Sequence, residues 1–177
     1  MDAAGNASET TTVIDASGNE LPAFVVIYDP EGGFVTGGGW IDSPAGAFHP
    51  GLADFADVVG KASFGFVAKY KKGASTPSGN TEFNFKAGDL KFKSSTYEWL
   101  VVAGKRAQFK GSGAINGNGG YQFMLTGIDG DLQGGDGNDR FRMKIWADNG
   151  AIVYDNKTDG DLDDSTILSG GQIKIHQ

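Results

Sequence analysis

The 177 residues suffice for one β domain with a substantial core, and 29 glycines without a Gly-X-Y period exclude a collagen-like chain. Absence of cysteine excludes disulfides and thiolate metal sites, and no run approaches the ~18 apolar residues of a membrane-spanning helix. A net charge of -7 and a pI near 4.7 argue against nucleic acid as a partner, although the charge is unevenly spread. Residues 1–60 hold nine acids and no Lys or Arg, residues 61–110 ten bases against three acids, and residues 129–164 ten Asp against four bases. Head-to-tail contact between copies, acidic flanks that become neutral when cations bind, or lysines on the outward face of several strands would each account for this distribution.

Residues 1–12 are small and polar and lack the basic and apolar regions of a signal peptide, so a secreted protein would have lost its leader. Residues 13–28 read as a hairpin turning at Ser17-Gly18-Asn19, and residues 1–30 are set apart as an N-terminal tail and hairpin. They are the remnant of a preceding repeat domain or strands that pair with another copy, because a lone two-stranded hairpin is only marginally stable. Residues 31–177 form the main domain. Its first strand, residues 34–41, contains Gly37-Gly38-Gly39, which predicts a bulge or a close backbone approach.

Residues 42–60 form a Pro- and Gly-containing loop, with residues 52–59 its one plausible helical turn. Alternation follows: Ala62, Phe64, Phe66 and Ala68 oppose Lys61, Ser63, Gly65, Val67 and Lys69, and the period-2 pattern continues through Phe83 and Phe85, then Leu90 and Phe92. Residues 99–103, Trp99 included, are apolar throughout and are assigned to the core. Asn116-Gly117 and Asn149-Gly150 are hairpin turns, since both steps accept positive φ. Phe141, Met143 and Ile145 alternate with Arg140, Arg142 and Lys144, which puts Trp146 in the outward phase. The expected fold is an all-β antiparallel sandwich, jelly-roll-like or a partly closed barrel, of about ten strands.

The run Asp29-Pro30-Glu31-Gly32-Gly33-Phe34-Val35-Thr36-Gly37-Gly38-Gly39-Trp40-Ile41, with Phe64-Gly65-Phe66-Val67-Ala68-Lys69-Tyr70 and Trp99-Leu100-Val101-Val102-Ala103-Gly104, resembles the post-COAP-like β domain. That family lies at the C-terminal side of long bacterial secreted or surface proteins, after PKD-like, HYR-like or Ig-like repeats. The resemblance covers residues 27–176. It implies export, an extracellular or cell-surface location, a modular neighbour and an adhesive or structural role; it implies no catalytic residues.

Gly134-Gly135-Asp136-Gly137-Asn138-Asp139-Arg140-Phe141-Arg142 fits one copy of the nonapeptide that binds Ca²⁺ in parallel β-helices. A single copy rejects the β-helix, but Asp136, Asn138 and Asp139, with Asp129 and Asp131 nearby, offer the oxygen ligands that Ca²⁺ takes. A second acidic loop contains Asp155, Asp159, Asp161, Asp163 and Asp164; its first spacings suit an EF-hand, but Asp164 stands where Gly is required. Both loops are also explained as solvated turns. Ca²⁺ is the expected cofactor, since so many carboxylates repel one another unless a cation offsets them.

Two histidines, His49 and His176, and the absence of a nucleophile elbow or P-loop predict a non-enzyme. The expected function is an extracellular adhesion or structural module stabilised by calcium. Its alternatives are a carbohydrate-binding module using Trp146, Trp40 and Tyr97, and a subunit that self-assembles by strand addition. Expected partners are neighbouring domains, other copies of the chain, or a polysaccharide.

Overall fold

A computed structural model of the chain describes residues 12–14, 20–22, 33–49, 57–157 and 165–176. Strands β1 (Thr12–Ile14) and β2 (Glu20–Pro22) pair antiparallel with each other, Val13 opposite Leu21, as the hairpin reading requires. Residues 23–32 and the helical turn proposed for residues 52–59, in large part, lie outside the described residues.

The remaining strands are β3 (Phe34–Ser43), β4 (Gly60–Tyr70), β5 (Pro77–Phe85), β6 (Leu90–Ala103), β7 (Arg106–Ile115), β8 (Asn118–Ile128), β9 (Arg140–Ala147), β10 (Ile152–Asp155), β11 (Thr166–Ile167) and β12 (Gly170–His176). From β3 to β10 each strand pairs antiparallel with the next, and β12 returns to the outer side of β3. β11 lies on the edge of β9 beyond β10. These ten strands make one sheet that is not closed into a barrel. Among the described residues no helix is long and apolar enough to cross a membrane.

The sheet folds over at β5 and β6, which pair only where Glu82 to Phe85 meet Leu90 to Lys93. The inner faces of its two halves then pack on each other. Phe64 of β4 stacks on Phe141 of β9 at 3.9 Å, Phe66 meets Phe109 at 5.6 Å, and Phe83 meets Tyr154 at 4.7 Å. These rings are the inward phase of the alternation, and burying them supplies the main apolar driving force.

Two turns have the expected chemistry. Asn116 and Gly117 take φ of 51° and 83° between β7 and β8, and Gly150 takes 86° between β9 and β10. The three glycines of β3 introduce no bulge, because its register with β4 and β12 is unbroken. A Cβ on Gly37 would fall 2.5 Å from the Phe66 ring, and one on Gly39 2.3 Å from the Gly170 carbonyl oxygen, so both are close-approach positions.

The assignment of residues 99–103 to the core is corrected. Leu100 is buried, but Trp99, Val101 and Val102 are half-buried and Ala103 is exposed. β5 has left β6 by this point, so β7 is its only ladder partner there. Tyr97 points inward: it is 9% exposed and its hydroxyl lies 2.7 Å from that of Thr81.

The stacked pair at the centre predicts the cost of opening the core. Phe141→Ala should lower unfolding free energy by about 3–5 kcal/mol in urea titrations, with the folded state retaining its β circular dichroism.

Candidate functional site

Residues 129–139 connect β8 to β9 and lean over the outer edge of β12. On that edge the N–H groups of Ile173 and Ile175 face away from β3 and have no strand beside them. Asp139 Oδ2 accepts the first at 2.7 Å and Asp129 Oδ2 the second at 3.0 Å. The remaining oxygens turn into the loop: Asp139 Oδ1 accepts Gly130 N–H at 2.8 Å and Asp129 Oδ1 accepts Asp131 N–H at 3.2 Å. Asp131 lies 2.7 Å from the Lys174 ammonium, which is 3.6 Å from Asp129. That hydrogen bond to Asp131 raises the Lys174 pKa.

The loop is tightly folded. A Cβ on Gly130 would lie 2.4 Å from the backbone of Asn138, and one on Gly135 2.0 Å from the Gly130 carbonyl oxygen. Leu132 anchors the loop on the core. Asp136 and Asn138 lie at its exposed tip, where Asp136 accepts Asn138 N–H at 3.0 Å and Arg140 Nη2 at 2.8 Å. The Arg140 guanidinium lowers the Asp136 pKa to about 2.

Of the proposed calcium ligands, then, Asp129, Asp131 and Asp139 are brought together with Lys174, while Asp136 and Asn138 make a separate ion-paired turn. Among the described residues no group of three or more His, Asp or Glu side chains is arranged to hold a metal. Each oxygen of Asp129 and Asp139 accepts one backbone N–H, which takes up one of its two lone pairs. Asp155 forms a two-pronged pair with Arg142, both contacts 2.9 Å. Asp159, Asp161, Asp163 and Asp164 lie outside the described residues.

Asn156, fully buried, has a role the sequence does not announce. β10 and β11 leave a gap along β9, and this amide fills it, accepting Met143 N–H at 2.7 Å and donating to the Phe141 carbonyl at 2.9 Å. The far edge is covered too: Phe48 bridges to Tyr154, His49 N donates to Val153 O at 2.8 Å, and Asp155 N donates to Ala47 O at 2.8 Å. His176 stacks on Phe34 at 4.0 Å, whereas the His49 side chain is exposed.

The outward strand positions carry a different chemistry. Within the ten-stranded sheet they hold ten bases, Lys61, Lys69, Lys91, Lys93, Arg106, Lys110, Arg140, Arg142, Lys144 and Lys174, against four acids, Asp42, Glu82, Glu98 and Asp155. Trp40 and Trp146 are both half-buried and outward, the first under the Lys61 ammonium at 4.5 Å and the second under Lys144 at 5.8 Å. They sit on different halves of the folded sheet and do not form one platform. Tyr97, the third glycan candidate, is in the core. The chain matches no protein-family model, no curated protein and no solved structure.

Two predictions follow the geometry of these groups. Asp139→Ala strands the N–H groups of Gly130 and Ile173, and should cost about 2–4 kcal/mol, because bonds to a charged acceptor contribute roughly 1.5–3 kcal/mol each and are not additive. That loss should be equal in EDTA and in millimolar Ca²⁺, read from urea midpoints; a loss confined to Ca²⁺ would instead make Asp139 a metal ligand.

The second concerns pH. The folded pKa of Asp136 lies below its ordinary 3.8, so its contribution is present above about pH 4 and lost as pH falls towards 2. Burial raises the phenols of Tyr97 and Tyr154 above the ordinary 10.0. Their contribution is therefore full below about pH 10 and declines above it as the unfolded chain ionises first. Urea midpoints measured against pH should be level between about 5 and 9 and fall on both sides. Asp136→Asn should soften the acid limb, and Tyr154→Phe the alkaline limb.

Proposed function

We propose that the chain is a non-catalytic extracellular module serving adhesion or structural support, with the outward surface of its sheet as the contact surface. The observation that carries this reading is the partition of charge. A chain of net charge -7 places ten bases against four acids on the outward strand positions of one sheet. Bases spread over a broad surface suit extended polyanions such as cell-surface polymers, because clustered charge of one sign concentrates oppositely charged partners.

The resemblance of residues 27–176 to the post-COAP-like domain supports the same reading through its context of export and modular neighbours. Carbohydrate binding is the second reading, favoured by the two outward tryptophans, whose rings offer apolar faces beside amide and hydroxyl groups. Strand addition is less favoured. Residues 129–139 cover the outer edge of β12, and residues 47–49 cover that of β10. Calcium enters this proposal as a stabiliser of the acidic loops at residues 129–139 and 155–164, the second favoured because Asp129 and Asp139 also serve β12.

Retention on immobilised polymers tests the reading. Acidic polysaccharide should retain the protein at low salt and release it as NaCl rises, because screening shortens the reach of surface charges to about 8 Å at physiological ionic strength. Lys144→Gln with Arg106→Gln should weaken retention without lowering the melting temperature. Equal retention on neutral polymer would remove charge from the account and leave the tryptophans. In the same preparations, a Ca²⁺-specific rise in melting temperature, absent with Mg²⁺, is the expected sign of the stabilising cation.

A further inference from the structure

The outward surface is not uniform. An open groove of about 770 Å³ crosses β4, β5 and β6 and ends at the β7–β8 turn, lined by Ser63, Gly65, Glu82, Asn84, Lys91 and Lys93 among others. The register puts these side chains in two adjacent rows. Trp40, Ser63, Asn84 and Lys91 follow one another across β3 to β6, and Gly38, Gly65, Glu82 and Lys93 run beside them.

Packing does not require the two glycines of the second row. A Cβ on Gly65 would meet nothing within 4 Å, and one on Gly38 only a carbonyl oxygen at 4.0 Å. By contrast, a Cβ on Gly79 would collide with the Val67 carbonyl at 1.8 Å and one on Gly111 with the Thr96 carbonyl at 2.0 Å. Glycine in mid-strand is less stable than alanine there, so a bare position that packing does not demand leaves backbone open for something else to approach.

The groove also holds an unmet polar group. Asn84 Oδ1 is one of two shielded side-chain oxygens among the described residues that accept no hydrogen bond, and a ligand hydroxyl reaches it only once the amide rotates towards the groove. The lining charge is positive, Lys91 and Lys93 against Glu82, and the Lys61 ammonium lies over the Trp40 ring that begins the first row. The Lys93–Glu82 pair, 3.4 Å apart, is 70% and 60% exposed, and such pairs are weak enough to yield to a ligand.

We propose that this groove binds an extended acidic saccharide. Lys91 and Lys93 take the uronate carboxylates, Ser63, Asn84 and Glu82 exchange hydrogen bonds with ring hydroxyls, and the sugar ring lies against the bare backbone at Gly65. The lining favours saccharide over nucleic acid. Glu82 accepts from a hydroxyl but repels a phosphodiester, and the phenylalanines of these strands face the core, so Trp40 at one end of the first row stands in place of the series of rings on which successive bases stack. The inference rests on the reading of the outward sheet surface as the contact surface, and assigns the contact to one place on it.

Polygalacturonate is the probe, with dextran and single-stranded DNA as controls, and affinity electrophoresis of the full chain is the measurement. Gly65→Gln fills the groove at a position with room for a side chain, so its melting temperature should equal or exceed that of the parent. It should weaken polygalacturonate binding by about tenfold or more. Lys91→Gln with Lys93→Gln should weaken it and flatten its salt dependence, and Asn84→Ala should weaken it with the salt dependence unchanged. Polygalacturonate binding that Gly65→Gln leaves intact while Lys144→Gln with Arg106→Gln abolishes it would overturn the groove and retain the charged surface. No binding of any acidic polymer would overturn both, and tighter binding of single-stranded DNA than of polygalacturonate would overturn the saccharide assignment.

Discussion

The N–H groups of Ile173 and Ile175 lie along an edge of β12 that no strand covers, and the fold depends on how they are served. A buried backbone donor without a partner costs about as much as a lost hydrogen bond, so the edge must be wet, paired or capped. Here Asp139 and Asp129 meet it with carboxylates, at 2.7 and 3.0 Å, and each uses its other oxygen to fold the loop that carries it. A carboxylate that is 1% exposed, as Asp129 is, would be unstable alone. It is stabilised by the donors it satisfies and by the Lys174 ammonium nearby. The seam thus ties the last strand to the β8–β9 connection without closing the hydrogen-bonded ladder.

The same solution recurs wherever the ladder is interrupted. Asn156 replaces backbone along β9 between β10 and β11. Where β5 departs from β6, Ser94 Oγ accepts Thr81 N–H at 2.8 Å and the Tyr70 hydroxyl accepts Leu100 N–H at 3.1 Å. A single long sheet can therefore fold over on itself, with rings stacked between its halves, while its interrupted edges keep their hydrogen bonds. Side-chain oxygens and amides also blunt those edges against pairing with another chain.

Charge is partitioned along with hydrogen bonding. Among the described residues four of twelve acids sit on strands of the main sheet, whereas ten of fifteen bases do. Long basic side chains lie readily along a pleated surface, and at Lys61 and Lys144 the ammonium itself sits over a tryptophan ring. Short carboxylates suit turns, where they accept from nearby backbone, as Asp136 does from Asn138. Acidic connections and a basic sheet surface follow from these preferences, and so does a net charge that says little about the surface a partner would meet.

The strand pattern was legible in the sequence because it is local. Alternation of Phe64 and Phe66 with Lys61 and Lys69 sets which face is buried, and Asn116-Gly117 sets a turn, whatever lies beyond. Count and class of strands follow from such signals, as does the outward phase of Trp146. Three things needed the tertiary structure, each because it depends on what lies across a gap in the fold. The burial of residues 99–103 turned on where β5 leaves β6, and that of Tyr97 on the Thr81 hydroxyl it meets. The glycines of β3, β4 and β5 look alike in sequence, and only their neighbours separate those that packing demands from those it does not. The aspartates of residues 129–139 have the composition of a calcium loop, but a carboxylate serves a backbone donor as readily as a cation. That Asp129 and Asp139 meet such donors depends on β12, nearly forty residues further along the chain.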